Sequence, residues 1–156
     1  MGPQDGHVTN VTSLDAIGRV PRMPVPVSEI MSPIEAVVGA DTTLRQAAVK
    51  MGQYHTGAAL VIDPTLPGPG IVTERDVLRA LAEGADPDDA RVADYMHSKL
   101  IAAAPAWPAT QAAEAMMKHH IRHIVVFEEE HLVGILSMRD VIKVLGLSVA
   151  EDQAHN

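Results

Sequence analysis

The chain of 156 residues contains no cysteine, and aromatic side chains make up only 3% of it. Without cysteine it can form neither a disulfide nor a cysteine-ligated zinc site, and a reducing compartment is its natural setting. Lys and Arg number 12 against 20 Asp and Glu, which gives a formal net charge of -8 at pH 7. Binding to nucleic acid or to an anionic membrane relies on an excess of positive charge, so this composition predicts neither kind of partner.

Long hydrophobic runs are also missing. No apolar stretch approaches the roughly 18 residues of a candidate transmembrane helix. The N-terminus lacks the basic and then apolar progression of a secretory signal. Hydrophobic residues nevertheless make up 47% of the chain, a share typical of globular proteins. We therefore expect a cytoplasmic protein with one globular region, flanked by a flexible N-terminal tail at 1–26 and a C-terminal tail at 147–156.

The chain does contain one motif twice. Residues 70–77 and 134–141 both read Gly, two apolar residues, a hydroxyl residue, any residue, Arg, Asp and Val. A second pair of matching segments, 27–32 and 92–97, lies upstream at nearly the same spacing. Such duplication predicts two similar structural units, at 27–84 and 92–146. Because a unit of this size buries too little surface alone, we expect the two to pack together and share one core.

Hydrophobic periodicity predicts the same order of elements, β-α-β-β-α, in both units. The second helix of each unit is expected to stop at Gly84 or Gly146. The fold class is therefore α/β in the broad sense that includes α+β. The predicted strands lie at 36–38, 58–62, 71–72, 100–103, 121–127 and 133–136, and the predicted helices lie at 44–51, 74–83, 108–119 and 138–145. The residues expected to point inward from the second helix of each unit are Val77, Leu78 and Leu81, and Val141, Ile142 and Leu145.

A hydroxyl residue and an aspartate recur where a strand passes into a helix: Thr73 with Asp76, and Ser137 with Asp140. This spacing is typical of a capping box, in which the two side chains satisfy free backbone N–H groups at a helix start. A second interpretation is a ligand site, because an aspartate beside a hydroxyl suits a ribose diol. Both interpretations remain open on the spacing alone.

The chain resembles a tandem pair of CBS domains, the cystathionine β-synthase type that is also called a Bateman module. The resemblance covers about 27–146 and rests on the two Val-x-x-x-Met segments, on Asp41–Leu44 before the first helix, and on the two copies of the Gly-containing motif. It implies two β-α-β-β-α units packed about a pseudo-twofold axis. One departure is the Pro-rich turn 64–69, which stands where the family usually has a short acidic-Gly turn.

The resemblance also implies a ligand: an adenosyl compound such as AMP, ADP, ATP or S-adenosylmethionine, bound in clefts between the repeats. The pairs Thr73 with Asp76 and Ser137 with Asp140 would hold ribose hydroxyls. The remaining implied contacts are the adenine pocket at Val37, Leu60, Ile101 and Val125, and the phosphates at Arg75 and Arg139. The implied protein is a stand-alone regulatory module without a cofactor, which forms a homodimer and acts on an unidentified protein effector or through its own assembly. The alternative is a dimerisation scaffold that binds no ligand.

A cluster of three histidines offers one further candidate site, for a metal ion. His119, His120 and His123 lie close together, and imidazoles at short spacing can bind metals. No acidic partner lies within this run, and basic residues also suit the C-terminal end of a helix. We therefore expect no metal site. The sequence contains no catalytic motif that we identify, so we expect no enzymatic activity.

Overall fold

The computed structural model describes residues 24–146, so the predicted C-terminal tail and all but the last three residues of the predicted N-terminal tail lie outside the described residues. The β-α-β-β-α order is confirmed in both units, and a short helical turn that was not predicted precedes each. The first unit contains a 3-10 turn at Val27–Glu29, β1 at Val37–Val38, α1 at Leu44–Gln53, β2 at Ala58–Val61, β3 at Gly70–Thr73 and α2 at Glu74–Ala82. The second contains α3 at Val92–Tyr95, β4 at Ala102–Ala103, α4 at Ala109–His119, β5 at His123–Glu128, β6 at His131–Ser137 and α5 at Met138–Val144.

Each unit carries one three-stranded sheet, in the order β1-β2-β3 or β4-β5-β6. The first two strands of each sheet are parallel, and the third is antiparallel to the second. The registers correspond as well, since Ala58 lies opposite Thr73 and His123 lies opposite Ser137. Within residues 24–146, no helix combines the length and the apolar character that crossing a membrane requires.

The helix starts follow the sequence signals. Thr43 caps α1 in a capping box with Gln46. The predicted capping boxes are present at the starts of α2 and α5. The predicted stops are also found, because Gly84 and Gly146 follow α2 and α5 with φ angles of 85° and 73°. Glycine adopts such angles without a steric cost, because it has no Cβ atom.

The leading segments of the two units are exchanged. Val27 is fully buried in the core of the second unit, where Ile30 and Met31 also pack. Val92 is fully buried in the core of the first unit, together with Tyr95 and Met96. The expectation of one shared core is therefore wrong: there are two cores, and each is completed by a segment of the other unit.

This exchange explains why both motifs begin with glycine. The backbone of His97 pairs with Ile71, and the backbone of Ser32 pairs with Ile135 in the equivalent way. A Cβ atom built on Gly134 would lie 2.8 Å from Sδ of Met31 and 3.0 Å from the carbonyl oxygen of Ser32. The leading segment of one unit thus passes too close to the third strand of the other for any larger residue. The two bridges are equivalent, as a pseudo-twofold relation between the units requires.

The fold includes residues that precede the predicted boundary at residue 27. The carbonyl of Val25 accepts a hydrogen bond of 2.8 Å from the backbone N–H of Ala109, at the start of α4. Pro26 lies in a bridge with Pro108. Residues 25 and 26 therefore belong to the fold rather than to a flexible tail.

The prediction of inward-facing residues was partly wrong. Val77 packs against the first core and Val141 is buried in the second, but Leu78 is 67% exposed and Leu81 is 48% exposed. Ile142 is also exposed, whereas Leu145 packs against the second core. Only a narrow stripe of α2 faces inward, and its buried residues are Asp76 and Ala80. The apolar residues beyond that stripe remain on the surface of the chain.

Candidate functional site

Two clefts lie between the units, and each combines the motif of one unit with strands of the other. The Asp140 cleft, of about 560 Å³, brings Ser137 and Asp140 together with Ala58 and Leu60 of the first unit. The Asp76 cleft, of about 440 Å³, brings Thr73 and Asp76 together with strand residues of the second unit. Both volumes fall in the usual range for small-molecule sites, roughly 300–1,000 Å³.

Nine of the ten predicted site residues line a cleft. The Asp76 cleft contains Thr73, Arg75, Asp76, Ile101 and Val125, and the Asp140 cleft contains Leu60, Ser137, Arg139 and Asp140. Val37 lines neither. Its neighbour Ala36 lines the Asp140 cleft instead, because successive side chains of a strand point to opposite faces. The contacts of these residues with a ligand stay predictions.

Within residues 24–146, only one of the two carboxylate oxygens of Asp140 accepts hydrogen bonds. Its Oδ2 accepts hydrogen bonds from the backbone N–H of Ser137 at 3.1 Å and from the Ser137 hydroxyl at 2.5 Å. Among residues 24–146, no hydrogen-bond or ion-pair partner of Asp140 Oδ1 is found. Since a carboxylate oxygen can accept two hydrogen bonds, this oxygen is available to a ligand with hydroxyl groups.

The carboxylate of Asp76 is engaged on both oxygens. Its Oδ2 accepts from the backbone N–H of Thr73 at 2.8 Å and from the Thr73 hydroxyl at 2.9 Å. Its Oδ1 lies 2.8 Å from Nε2 of His97 and 3.3 Å from Nη2 of Arg79. Asp76 is also the one buried charged residue of the described chain, with 3% of its surface exposed. The two motifs are therefore alike in sequence but differ in their surroundings.

Positive charge is concentrated at the clefts. Of the Lys and Arg residues within 24–146, six of ten line the clefts, compared with four of the 16 Asp and Glu residues in the same range. The cations are Arg75, Arg79 and Lys99 in the Asp76 cleft, Arg139 and Lys143 in the Asp140 cleft, and Arg122 in both. In a chain with a net charge of -8 this distribution is selective, and it favours anionic ligands at the clefts.

The two clefts share part of their walls. Gly57, Arg122 and His123 line both of them. Arg122 donates a hydrogen bond of 3.0 Å to Oε1 of Glu74, across the two units. Burial is the main influence on the His123 imidazole and lowers its pKa below the ordinary value of 6.5. The shared wall therefore contains the neutral imidazole of His123 and the ion pair of Arg122 with Glu74 near pH 7.

Sequence reasoning missed several cleft residues, including His97, Arg79, Arg122 and Lys143. Two signals were available, because Arg79 and Lys143 each follow the motif aspartate by three residues, which places them one helical turn away. His119, His120 and His123 all line the Asp76 cleft. Within residues 24–146, no group of three or more His, Cys, Asp or Glu side chains is arranged to hold a metal ion.

Comparisons with known proteins point to one family. A family model for the CBS domain matches residues 27–83 and 92–147. The chain is 33% identical over 108 residues to the mitochondrial CBS domain-containing protein CBSX3 of Arabidopsis thaliana, a match covering 66% of this chain and 52% of that protein. It is 30% identical over 116 residues to the CBS domain-containing protein YhcV of Bacillus subtilis, covering 74% of this chain and 81% of that one. The match thus spans about half the length of CBSX3 and most of YhcV.

A solved structure is similar as well. A CBS domain protein from Pyrobaculum aerophilum, complexed with AMP, superposes with a TM-score of 0.66 at 33% identity, over 74% of this chain and 89% of that chain. Because the family model matches both repeats and most of the sequence, this protein belongs to the CBS domain family.

Proposed function

We propose that this protein is a regulatory module that binds an adenine nucleotide in the Asp140 cleft. The observation that carries the proposal is Oδ1 of Asp140, which has no partner among residues 24–146 and lies in a cleft beside positively charged side chains. A carboxylate oxygen of this kind accepts hydrogen bonds from the two hydroxyls of a ribose. AMP in the related structure from Pyrobaculum aerophilum supports the same ligand class.

The proposed binding mode assigns each part of the nucleotide to one wall. The ribose hydroxyls donate to Asp140, and the adenine ring packs on the apolar surface of Ala58 and Leu60. The phosphate lies near Arg139 and Lys143, which can donate charge-assisted hydrogen bonds to it. Such bonds are stronger than those between neutral groups. This positive charge favours AMP, ADP or ATP over S-adenosylmethionine, whose sulfonium is itself a cation.

The proposed output is a change in assembly or in contact with an effector protein. Both clefts lie between the units, so a bound nucleotide contacts both at once. The exposed apolar residues of the helices, Leu78, Leu81, Met117 and Ile142, are proposed to form a homodimer interface. The cleft groups suit recognition of hydroxyls and phosphates, and the proposed role is therefore regulatory rather than catalytic. A cytoplasmic location is part of the same proposal, since adenine nucleotides are abundant there.

A second function is favoured by the same exposed helix faces. Leu78 is 67% exposed and Met117 is 70% exposed, and exposed apolar faces of this kind mark interfaces. The capping box gives Asp140 a structural role that needs no ligand. A constitutive dimerisation scaffold therefore accounts for the helices, but it leaves the positive charge of the clefts unexplained.

Ligand-dependent stabilisation separates the two functions. The thermal unfolding midpoint should be measured with AMP, ADP, ATP and S-adenosylmethionine, each over a series of concentrations. A ligand present at about ten times its Kd stabilises the folded state by about 1.4 kcal/mol, which shifts the midpoint measurably. If none of the four compounds shifts it, nucleotide regulation is wrong and the scaffold function stands.

A further inference from the structure

The two clefts differ in the contacts of the aspartate that is proposed to bind a ribose. We propose that His97 closes the Asp76 cleft to nucleosides, so that each chain binds one adenine nucleotide, in the Asp140 cleft. This inference rests on the proposed function and adds to it the stoichiometry and the residue that sets it.

The contacts of Asp76 leave no room for a diol. A carboxylate has about four acceptor sites, two on each oxygen. Thr73 uses both sites of Oδ2, and His97 and Arg79 lie on Oδ1. The side chain of Asp76 is 4% exposed, so these neighbours also cover it from solvent. A ribose can reach the carboxylate only by displacing His97.

His97 is held in place by its backbone. Its N–H donates to the carbonyl of Ile71 at 2.8 Å, and its carbonyl accepts from the N–H of Ile71 at 2.9 Å. Met96, directly before it, packs against the first core. The backbone therefore fixes the position of the His97 imidazole over Asp76. The His97 side chain itself is 52% exposed. Replacing that side chain removes the cover without removing core packing.

The pseudo-twofold relation supplies an internal comparison. The residue equivalent to His97 is Ser32, which forms the same backbone bridge to β6 that His97 forms to β3. The residue equivalent to Arg79 is Lys143, which forms no ion pair with Asp140 within the described chain. Ser32 is too short to cover a carboxylate and makes no hydrogen bond to Asp140. The difference between a closed and an open cleft thus depends mainly on one side chain.

The energetics favour the closed state. A hydrogen bond to a charged group contributes about 1.5–3 kcal/mol, equivalent to a change of roughly 10- to 150-fold in Kd. A nucleotide entering the Asp76 cleft must give up such a bond before it can form its own. The Asp140 cleft requires no such displacement. The expected difference in Kd between the two clefts is therefore at least about tenfold.

A reciprocal exchange tests the proposal. Isothermal titration with AMP should give one site per chain for the wild type. His97→Ser should give two, because it removes the side chain that covers Asp76, while Arg79 at 3.3 Å occupies only one of the two acceptor sites of Oδ1. Ser32→His should weaken or abolish the single site, because it copies the closed cleft. The double variant should again bind one AMP, with the site now sensitive to Asp76→Ala and insensitive to Asp140→Ala. His131→Ser is the matched control, since His131 is exposed on β6 and lines neither cleft.

The possible outcomes separate this inference from the function on which it rests. Two AMP sites in the wild type would overturn the closure and leave nucleotide binding intact. One site in a folded His97→Ser variant would overturn it as well. If AMP bound only after His97→Ser, the closure would hold while the proposed site at Asp140 failed. If neither protein bound AMP, both would be wrong.

Discussion

Replacing Asp140 by alanine should weaken nucleotide binding far more than it weakens the fold. The variant loses the Oδ1 atom, which we assign to the two ribose hydroxyls. Each hydrogen bond to a charged acceptor contributes about 1.5–3 kcal/mol, so losing even one of the two should raise the Kd for AMP roughly 10- to 150-fold. The structural loss is smaller, because the cap contacts with Ser137 are those of an ordinary helix start. A lost cap of this kind costs about 1 kcal/mol.

Two measurements keep these effects apart. Isothermal titration gives the Kd of the folded variant, and urea unfolding gives its stability. Asp140→Asn refines the comparison, since the amide oxygen still accepts from Ser137 while the charge at the cleft is lost. We expect the Asn variant to regain part of the stability and little of the affinity.

Asp76→Ala is the matched control. It removes the equivalent aspartate of the other repeat, and it leaves His97 and Arg79 without their partner. We expect this variant to lose more stability than Asp140→Ala, because Asp76 is buried, and to keep the wild-type Kd for AMP. An unchanged Kd in folded Asp140→Ala would refute the ribose assignment. An equal loss in both variants would refute the distinction between the clefts.

Three further predictions concern assembly, pH and packing. Leu78→Asp should convert the homodimer into a folded monomer of 16.6 kDa, as measured by light scattering, because Leu78 is 67% exposed and its replacement leaves the core of the chain intact. A wild type that is already monomeric would contradict this prediction. Burial lowers the pKa of His123 in the folded state, so on acidification the unfolded chain binds a proton at this imidazole at a higher pH than the folded chain does. The free energy of unfolding should therefore decrease as the pH falls from about 6.5 towards the folded-state pKa. His123→Gln should reduce the pH dependence of the urea midpoint, and an unaltered dependence would assign it to other groups. Gly134→Ala should destabilise the fold by about 1–3 kcal/mol, because its Cβ would lie 2.8 Å from Sδ of Met31. In contrast, Gly52→Ala, within α1 and with open space around it, should be neutral or stabilising in the same urea titration.

Much of the fold could be predicted from the sequence because the signals are local. Hydrophobic periodicity and the duplicated motif indicated the order of elements in both units, and the capping boxes and the glycines at 84 and 146 marked helix ends. Each of these signals acts within a few residues of the backbone that it shapes. Errors at the boundaries were small for the same reason.

The exchange of leading segments could not be predicted this way. Val27 and Val92 show only that something apolar must be buried, and neither indicates in which unit. The sequence assigned Leu78 both to the core and to a homodimer interface, because an apolar residue on a helix suits either, and only the structure shows that it is exposed. The contact between His97 and Asp76 joins residues 21 positions apart in different units, so no local pattern reports it. Sequence similarity between the two motifs instead suggested equivalent sites.

The exchanged leading segments also bear on the ancestry of the chain. A protein with a single repeat would have lacked the segment that completes its core, and two such molecules would have supplied it to each other. Duplication and fusion would then have converted a swapped dimer into one chain, with residues 83–91 as the tether. The glycines at 70 and 134 fit this history, since each makes room for the leading segment of the other unit. The two halves are therefore expected to remain complementary fragments, unable to fold separately and able to reassemble when mixed.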